Sequence, residues 1–353
     1  MGRLISYNRR EVASKRFRFL FYEIVPIFLM IFIFLIFEWF LLPLIVNQTS
    51  ELYGMLFYLI RASAIFLMIM LFLFISNKMK TKNSQPAKKE LALHIGYLKL
   101  YKMTRKNYIY QLLYTCLIFF LILIPIEFLF SLLLPETIPY RAVSLILRTE
   151  NNYLLLSDIS VFLLFTIIIQ LSLSFSEETI FRGLITKRGS EYFNRMSAVM
   201  ISTFSFTFIE FFLNPIIFSV SYYFGVIWFI KSFVVGLVLS LTIIRRRWLF
   251  PLIIAKTTDS IITSVIIWDY LSGGNFTQLL GFIYIPLLVI SLFLLIMQRS
   301  RIKESVQIGI KMIKLYAKKD IASEETSGDK IFRILFDIFL AFLLFLFGIL
   351  ISV

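Results

Sequence analysis

Apolar runs of bilayer length recur along the whole chain, and that feature decides most of what it can fold into. A transmembrane helix needs about 20 consecutive, mostly apolar residues. On that criterion nine spans are predicted: 20–46, 55–76, 108–134, 154–181, 196–213, 216–244, 248–268, 277–297 and 331–353. In lipid every backbone N–H and C=O must be satisfied internally, so the expected fold class is all-α, a polytopic bundle of transmembrane helices. The period-two alternation of a membrane barrel is absent. Charged residues are only 16% of the chain, against about 25% in soluble domains, which excludes a soluble globular protein. The first apolar run is too long for a signal-peptide core and has no small-residue cleavage site, so it reads as a retained span. Cys116 has no second cysteine to pair with, which excludes a disulfide framework. With His94 the single histidine, no His- or Cys-rich zinc site can form. No metal and no cofactor is expected.

Orientation follows from Lys and Arg. With the N-terminus inside, the inner segments are 1–19, 77–107, 182–195, 245–247 and 298–330. They hold 30 of the 36 basic residues, and the outer loops hold only Arg141 and Arg148. This asymmetry accounts for the net charge of +15 without nucleic acid as a partner. It also offers an attraction for anionic lipid at the inner face. The Phe, Ile, Leu and Lys bias suggests an AT-rich bacterial source, so the expected location is the bacterial cytoplasmic membrane, multi-pass. Two inner segments are predicted as amphipathic helices lying on the membrane face. One starts near Lys88 and contains His94, for which no catalytic role is expected. The other, 299–319, sets Ile302, Val306, Ile310 and Ile313 against Lys303, Lys311 and Lys314. The expected organisation is a basic cytoplasmic N-terminus (1–19), N-terminal spans with the basic loop 77–107 (20–153), a core (154–297), a basic amphipathic segment (298–330) and a last span (331–353).

Ionisable side chains inside a bilayer are expensive and point to function. The densest set is Asp158, Glu177, Glu178, Arg182, Glu210, Lys231, Lys256 and Asp259. Glu23, Glu38, Arg61, Glu127, Asp269 and Asp337 lie nearer span ends or alone, and snorkelling is the expected explanation for most of them. Within Ser176 to Leu184, Glu178 and Arg182 stand four apart on a helix and can pair. That pairing leaves Glu177 free. Two adjacent carboxylates suit general-base work, or they fix helix packing as part of a structural ion pair.

This Glu-Glu-x-x-x-Arg string at the inner end of a span resembles the first motif of the CAAX-protease and bacteriocin-processing (Abi) membrane family. Phe206 to Glu210, followed by Asn214 and Pro215, sits where that family carries Phe-x-x-x-His. Phe233 to Gly236, the turn Arg245 to Arg247 and Pro251 to Ser260 follow the pattern before and around its His-x-x-x-Asn. The resemblance covers about 154–297. It implies that Glu177 is the position that activates water together with the second-motif residue, and that the third motif supplies an oxyanion site. Both family histidines are replaced: Glu210 stands at the second-motif position, Lys256 at the third, and Ser260 at the Asn position, with Asp259 one place earlier. At 1.5 Å per residue, Glu177 and Lys256 come out at about 12 and 13 Å inside the inner boundary, and Glu210 at about 21 Å. Glu177 and Lys256 are thus expected to meet, and Glu210 joins them only through the resemblance.

These departures support two readings. In the first, Arg182 and Lys256 neutralise Glu177, Glu178 and Glu210, and the chain is a scaffold or regulatory partner of another membrane or cell-envelope protein. Bacteriocin immunity is one such setting. In the alternative, it is a variant intramembrane endopeptidase with Glu177 as base, Glu210 as acid and Lys256 as oxyanion donor. The partner is then a peptide. A transporter lined by these charges lacks the paired, broken short spans such proteins show. The topology predicts that a cysteine replacing Gln85, in a Cys116→Ser background, is protected from an impermeant thiol reagent in intact cells. Labelling there from outside reverses the orientation.

Overall fold

Two prolines within apolar runs set the local geometry of the first and third spans. In the computed structural model, which describes residues 9–83, 93–134, 136–212, 222–318 and 325–352, each is preceded by a π-helical turn, Leu20–Ile24 before Pro26 and Phe119–Leu123 before Pro125. Proline lacks the N–H that an α-helix donates to the fourth residue back. The wider hydrogen-bond ladder absorbs the loss without ending the helix.

The described residues form twelve helices, a short 3-10 segment at Thr149–Leu155 and no strand. The helices are α1 (Arg9–Ile45), α2 (Glu51–Asn83), α3 (Leu93–Leu98), α4 (Tyr108–Leu133), α5 (Thr137–Ile146), α6 (Ile159–Arg188), α7 (Arg195–Phe212), α8 (Tyr222–Arg246), α9 (Phe250–Leu271), α10 (Phe276–Met297), α11 (Arg299–Ala317) and α12 (Ser327–Ser352). Eight of them are long and apolar enough to cross a membrane, which makes this an all-α polytopic bundle. The ninth predicted span, 196–213, is α7, an 18-residue helix whose hydropathy is lowered by Ser197, Ser202, Thr203, Ser205 and Thr207. All five are buried. Small hydroxyl residues let neighbouring helices approach closely, and α7 packs against α6, α8 and α12 at the heart of the bundle.

The inner loop differs from its prediction. Instead of lying on the membrane face, α3 and the turn after it push Tyr97 and Leu100 into the main core. The Leu249 amide donates to the Leu100 carbonyl at 2.9 Å, tying this segment to the start of α9. Positions 84–92, with Lys88, and 213–221, with Asn214 and Pro215, lie outside the described residues. The second amphipathic helix forms as α11, with Val306 and Ile310 exposed.

Snorkelling also fails for most of the acids assigned to it. Glu23 takes two hydrogen bonds from Arg188, at 2.9 and 2.5 Å, and a third from the Tyr192 hydroxyl. Asp337 accepts from Arg16 at 2.6 Å and from Tyr316 at 2.8 Å, while Arg16 also donates to Ser197 at 3.0 Å. Glu127 pairs with Lys231 at 2.5 Å. Glu38 and Arg61 are buried as well. A long side chain reaches water only where the bundle leaves a path, and these acids face inward. The Arg16–Asp337 and Glu23–Arg188 pairs clasp α1 to α12 and to α6 near the inner ends of the helices. Removing one partner of a buried pair costs about 3–5 kcal/mol. Asp337→Ala is therefore expected to lower the melting temperature in detergent, and Arg16→Met with Asp337→Leu to restore most of it. A wild-type melting curve for Asp337→Ala contradicts the clasp.

Candidate functional site

The site is built where α6 changes its winding. Asp158 starts this helix as its N-cap, its carboxylate accepting from the Ser160 and Val161 amides at 2.7 and 3.2 Å. It therefore stands apart from the buried charge set in which the sequence places it, and its role is that of a helix cap. The α-helical part ends at Glu178, and Thr179–Arg188 continues as a π-helix. Such segments are frequent at functional sites. The carbonyls it re-aims are taken up by neighbours. Ser202 and Thr186 hydroxyls donate to the Phe181 carbonyl at 2.7 and 2.9 Å. Tyr97 donates to the Thr179 carbonyl and Tyr101 to the Thr179 hydroxyl, each at 2.8 Å. Burial pushes both phenols well above the ordinary tyrosine range, so they stay protonated donors. Glycine at 183 makes this approach possible, since a Cβ there would lie 2.5 Å from the Tyr97 hydroxyl oxygen.

The junction places Glu177 and Glu178 side by side with different partners. Glu178 and Arg182 are wholly buried, with Oε1 to Nη1 at 3.2 Å, as the spacing predicts. Neither group forms a hydrogen bond to a described residue, so the contact is an ion pair and nothing more. Lys256 reaches in from α9. Its ammonium contacts Glu177 Oε2 and stands 3.9 Å from Glu178 Oε1. The ring of Phe206 on α7 lies 4.6 Å from both the Arg182 guanidinium and the Lys256 ammonium. A π face stabilises a cation, more so when it is desolvated. Phe206 thus holds two cations beside two carboxylates.

The remaining predicted residues are less tightly joined. Glu210 is half-buried one turn beyond Phe206 and forms no ion pair with a described residue. Glu177 and Lys256 are nevertheless the two charges that act on it most. Ser260 is half-buried one turn from Lys256, without a hydrogen bond to either glutamate of the pair. Asp259 is buried, with Oδ1 lacking a hydrogen-bond partner among the described residues. It faces a second cluster, where the acting charges are Glu127, Lys231, Arg141 and then Lys256. The Lys231 ammonium of that cluster also sits 4.4 Å from the Phe130 ring. Sequence reasoning misses the Glu127–Lys231 pair and the role of the Phe206 ring. Lys231 is visible as an intramembrane cation, but no spacing rule joins α8 to α4. His94 packs edge-on against Phe74 at 5.4 Å. Among the described residues no group of three or more His, Cys, Asp or Glu can hold a metal ion.

A carboxylate pair with an arginine four residues on, one helix away from a Phe-x-x-x-Glu segment and another from a lysine, defines a class. Residues 159–262 match the model of the family described as type II CAAX prenyl endopeptidase Rce1-like. The matched segment holds Glu177, Glu178, Arg182, Glu210, Lys256, Asp259 and Ser260, and is narrower than the 154–297 expected from the motifs. Curated proteins and solved structures give no match. Arg182→Ala leaves Glu178 buried with Lys256 at 3.9 Å as its nearest cation. It is expected to cost about 3–5 kcal/mol, read as a lowered melting temperature in detergent. An unchanged curve means that the pair is not formed.

Proposed function

We propose that this chain is a non-proteolytic member of the matched family, acting by binding another membrane or cell-envelope protein. The observation that carries the reading is the Lys256 ammonium seated on Glu177. A general base needs a lone pair free to take a proton from water. Here the carboxylate at the base position is occupied by a cation, and its neighbour Glu178 is occupied by Arg182. The chain's single histidine, His94, lies outside the matched segment, so no imidazole of that segment is present to share the work. A charge-balanced buried network keeps helices in register. On this reading the core is a rigid membrane platform, and the partner is met through its surfaces. Bacteriocin immunity and control of a cell-envelope enzyme are settings that suit such a platform in a bacterial cytoplasmic membrane.

One observation favours the endopeptidase alternative: the Glu177 side chain keeps 31% of its surface and lines a cavity. Lys256 holds only Oε2, so on this alternative Glu177 acts as a base through its other carboxylate oxygen, or after Lys256 leaves it. Substitution separates the readings. Glu177→Gln keeps size and hydrogen bonding but cannot serve as a base. Expressed in a strain lacking the gene, it is expected to restore the wild-type phenotype, and Lys256→His to gain no proteolysis. Loss of the phenotype by Glu177→Gln, with normal melting and normal partner pull-down, overturns the platform reading and makes Glu177 a catalytic base.

A further inference from the structure

The turn between α8 and α9 ends a helix on an unusual residue. Arg247 is the one residue other than glycine with a positive φ among the described residues, at 57°. Its amide donates to the Ile243 carbonyl at 2.9 Å, a left-handed cap that glycine supplies at less cost. Backbone held in this region points to a use for the side chain it carries. The Arg247 side chain is exposed and forms no ion pair or hydrogen bond with a described residue. Its neighbours differ. Arg245 donates to Ser305 of α11 at 2.9 Å, and Arg246 donates to the Tyr114 hydroxyl at 2.6 Å. A second segment brings more cations to this turn. The Leu249 amide bonds the Leu100 carbonyl, so Arg247 and Lys102 each stand two residues from one hydrogen bond. Arg105 and Lys106 follow in a turn fixed by the Thr104 amide, which donates to the Asn107 side chain at 2.7 Å. Lys102, Arg105 and Lys106 are exposed, and neither 93–118 nor 246–258 contains an acid. Just beyond them α4 turns an apolar side outward, with Ile109, Leu112 and Leu113 exposed. Trp248 packs edge-on against Tyr114 at 5.9 Å, as aromatic rings do at the level of the membrane–water interface.

We propose that this corner is a binding site for one anionic phospholipid of the inner leaflet, with the headgroup phosphate on Arg247 and Lys102 and the acyl chains along α4 at Ile109, Leu112 and Leu113. The basic asymmetry of the sequence implies a diffuse attraction for such lipids. Here cations from two segments, tied together by a backbone hydrogen bond, converge on one headgroup. A planar guanidinium matches a phosphate through paired hydrogen bonds, and an ammonium adds a point charge. The apolar side of α4 argues for a lipid over a free phosphate or an acidic peptide, either of which leaves that side unused. The left-handed cap fits the same account, since glycine would close the helix but carry no charge. The inference does not rest on the non-proteolytic reading, because no member of the Glu177 cluster takes part.

The test uses the full chain in a neutral detergent, titrated with phosphatidylglycerol or with phosphatidylcholine of the same acyl chains, and counts bound lipid by native mass spectrometry. Saturable phosphatidylglycerol binding is expected, about tenfold or more tighter than phosphatidylcholine. Arg247→Gly is expected to weaken it about fivefold, the weight of one cation beside an anionic headgroup, while melting no lower than the wild type because the cap becomes easier to form. Arg247→Lys is expected to keep most of the binding. Lys102→Gln with Arg105→Gln changes exposed side chains only, and is expected to weaken binding at an unchanged melting temperature. Inorganic phosphate is expected not to displace the lipid. Equal binding of the two lipids, wild-type binding by Arg247→Gly, a lowered melting temperature for that variant, or displacement by inorganic phosphate overturns the proposal.

Discussion

Lys256 against Glu177, with Arg182 against Glu178 and both cations on the Phe206 ring, is the arrangement on which the core depends. Four charges lie within one helical turn of each other in a place where water is scarce. Each ion would be costly alone. Paired, they link α6 to α9, and through Phe206 both are linked to α7. Losing Arg182 or Glu178 takes the nearest counter-charge from a wholly buried ion, whereas Glu177 and Lys256 keep some exposure and Lys256 also stands 3.9 Å from Glu178. The π-helical winding after Glu178 belongs to the same arrangement, because it directs the Phe181 and Thr179 carbonyls toward hydroxyl donors from α7 and from the inner loop. The inner loop is thus part of the core and not a cover lying over it.

The same rule repeats at smaller scale through the bundle. Arg16 with Asp337, Arg188 with Glu23 and Lys231 with Glu127 each join helices distant in sequence. Lipid tails are as apolar as the helix surfaces, so apolar burial gives little preference for one helix neighbour over another. Ion pairs do discriminate, since a mismatched neighbour strands a charge. In this chain they fix which helices are adjacent, and small residues such as Gly348, where an added Cβ would meet Ile209 at 2.6 Å, set how closely they pack.

Much of this is legible in the residues. Spans follow from apolar run length, and the Glu178–Arg182 pair from helical spacing. The Glu177–Lys256 contact is allowed by depth, because both residues lie at similar distances from basic inner turns, while the resemblance points to the pairing of these two helices. Glu210 illustrates the limit. Its depth puts it some turns away, and it is indeed near Glu177 and Lys256 in charge but not in contact. Arg61, Glu23 and Asp337 escape the sequence for one reason: a single charge near a span end reads as exposed, and only the packed bundle reveals which way it faces. The burial of Tyr97 has a cue in the apolar residues around it, but the basic residues of the same loop outweigh it. The α7 helix reads as an ordinary span, though its run of Ser and Thr marks a helix surrounded by others.

A double-mutant cycle on Lys256 and Glu177 tests the central claim most directly. Lys256→Met, Glu177→Gln and the double variant would each be unfolded in detergent and compared with the wild type. Contacting charges in a partly buried site are expected to show a coupling of about 1–3 kcal/mol, with the double variant less destabilised than the two single changes added together. A coupling indistinguishable from zero would mean that Lys256 does not hold Glu177, that the carboxylate is free to act on water, and that the account of a neutralised core is wrong.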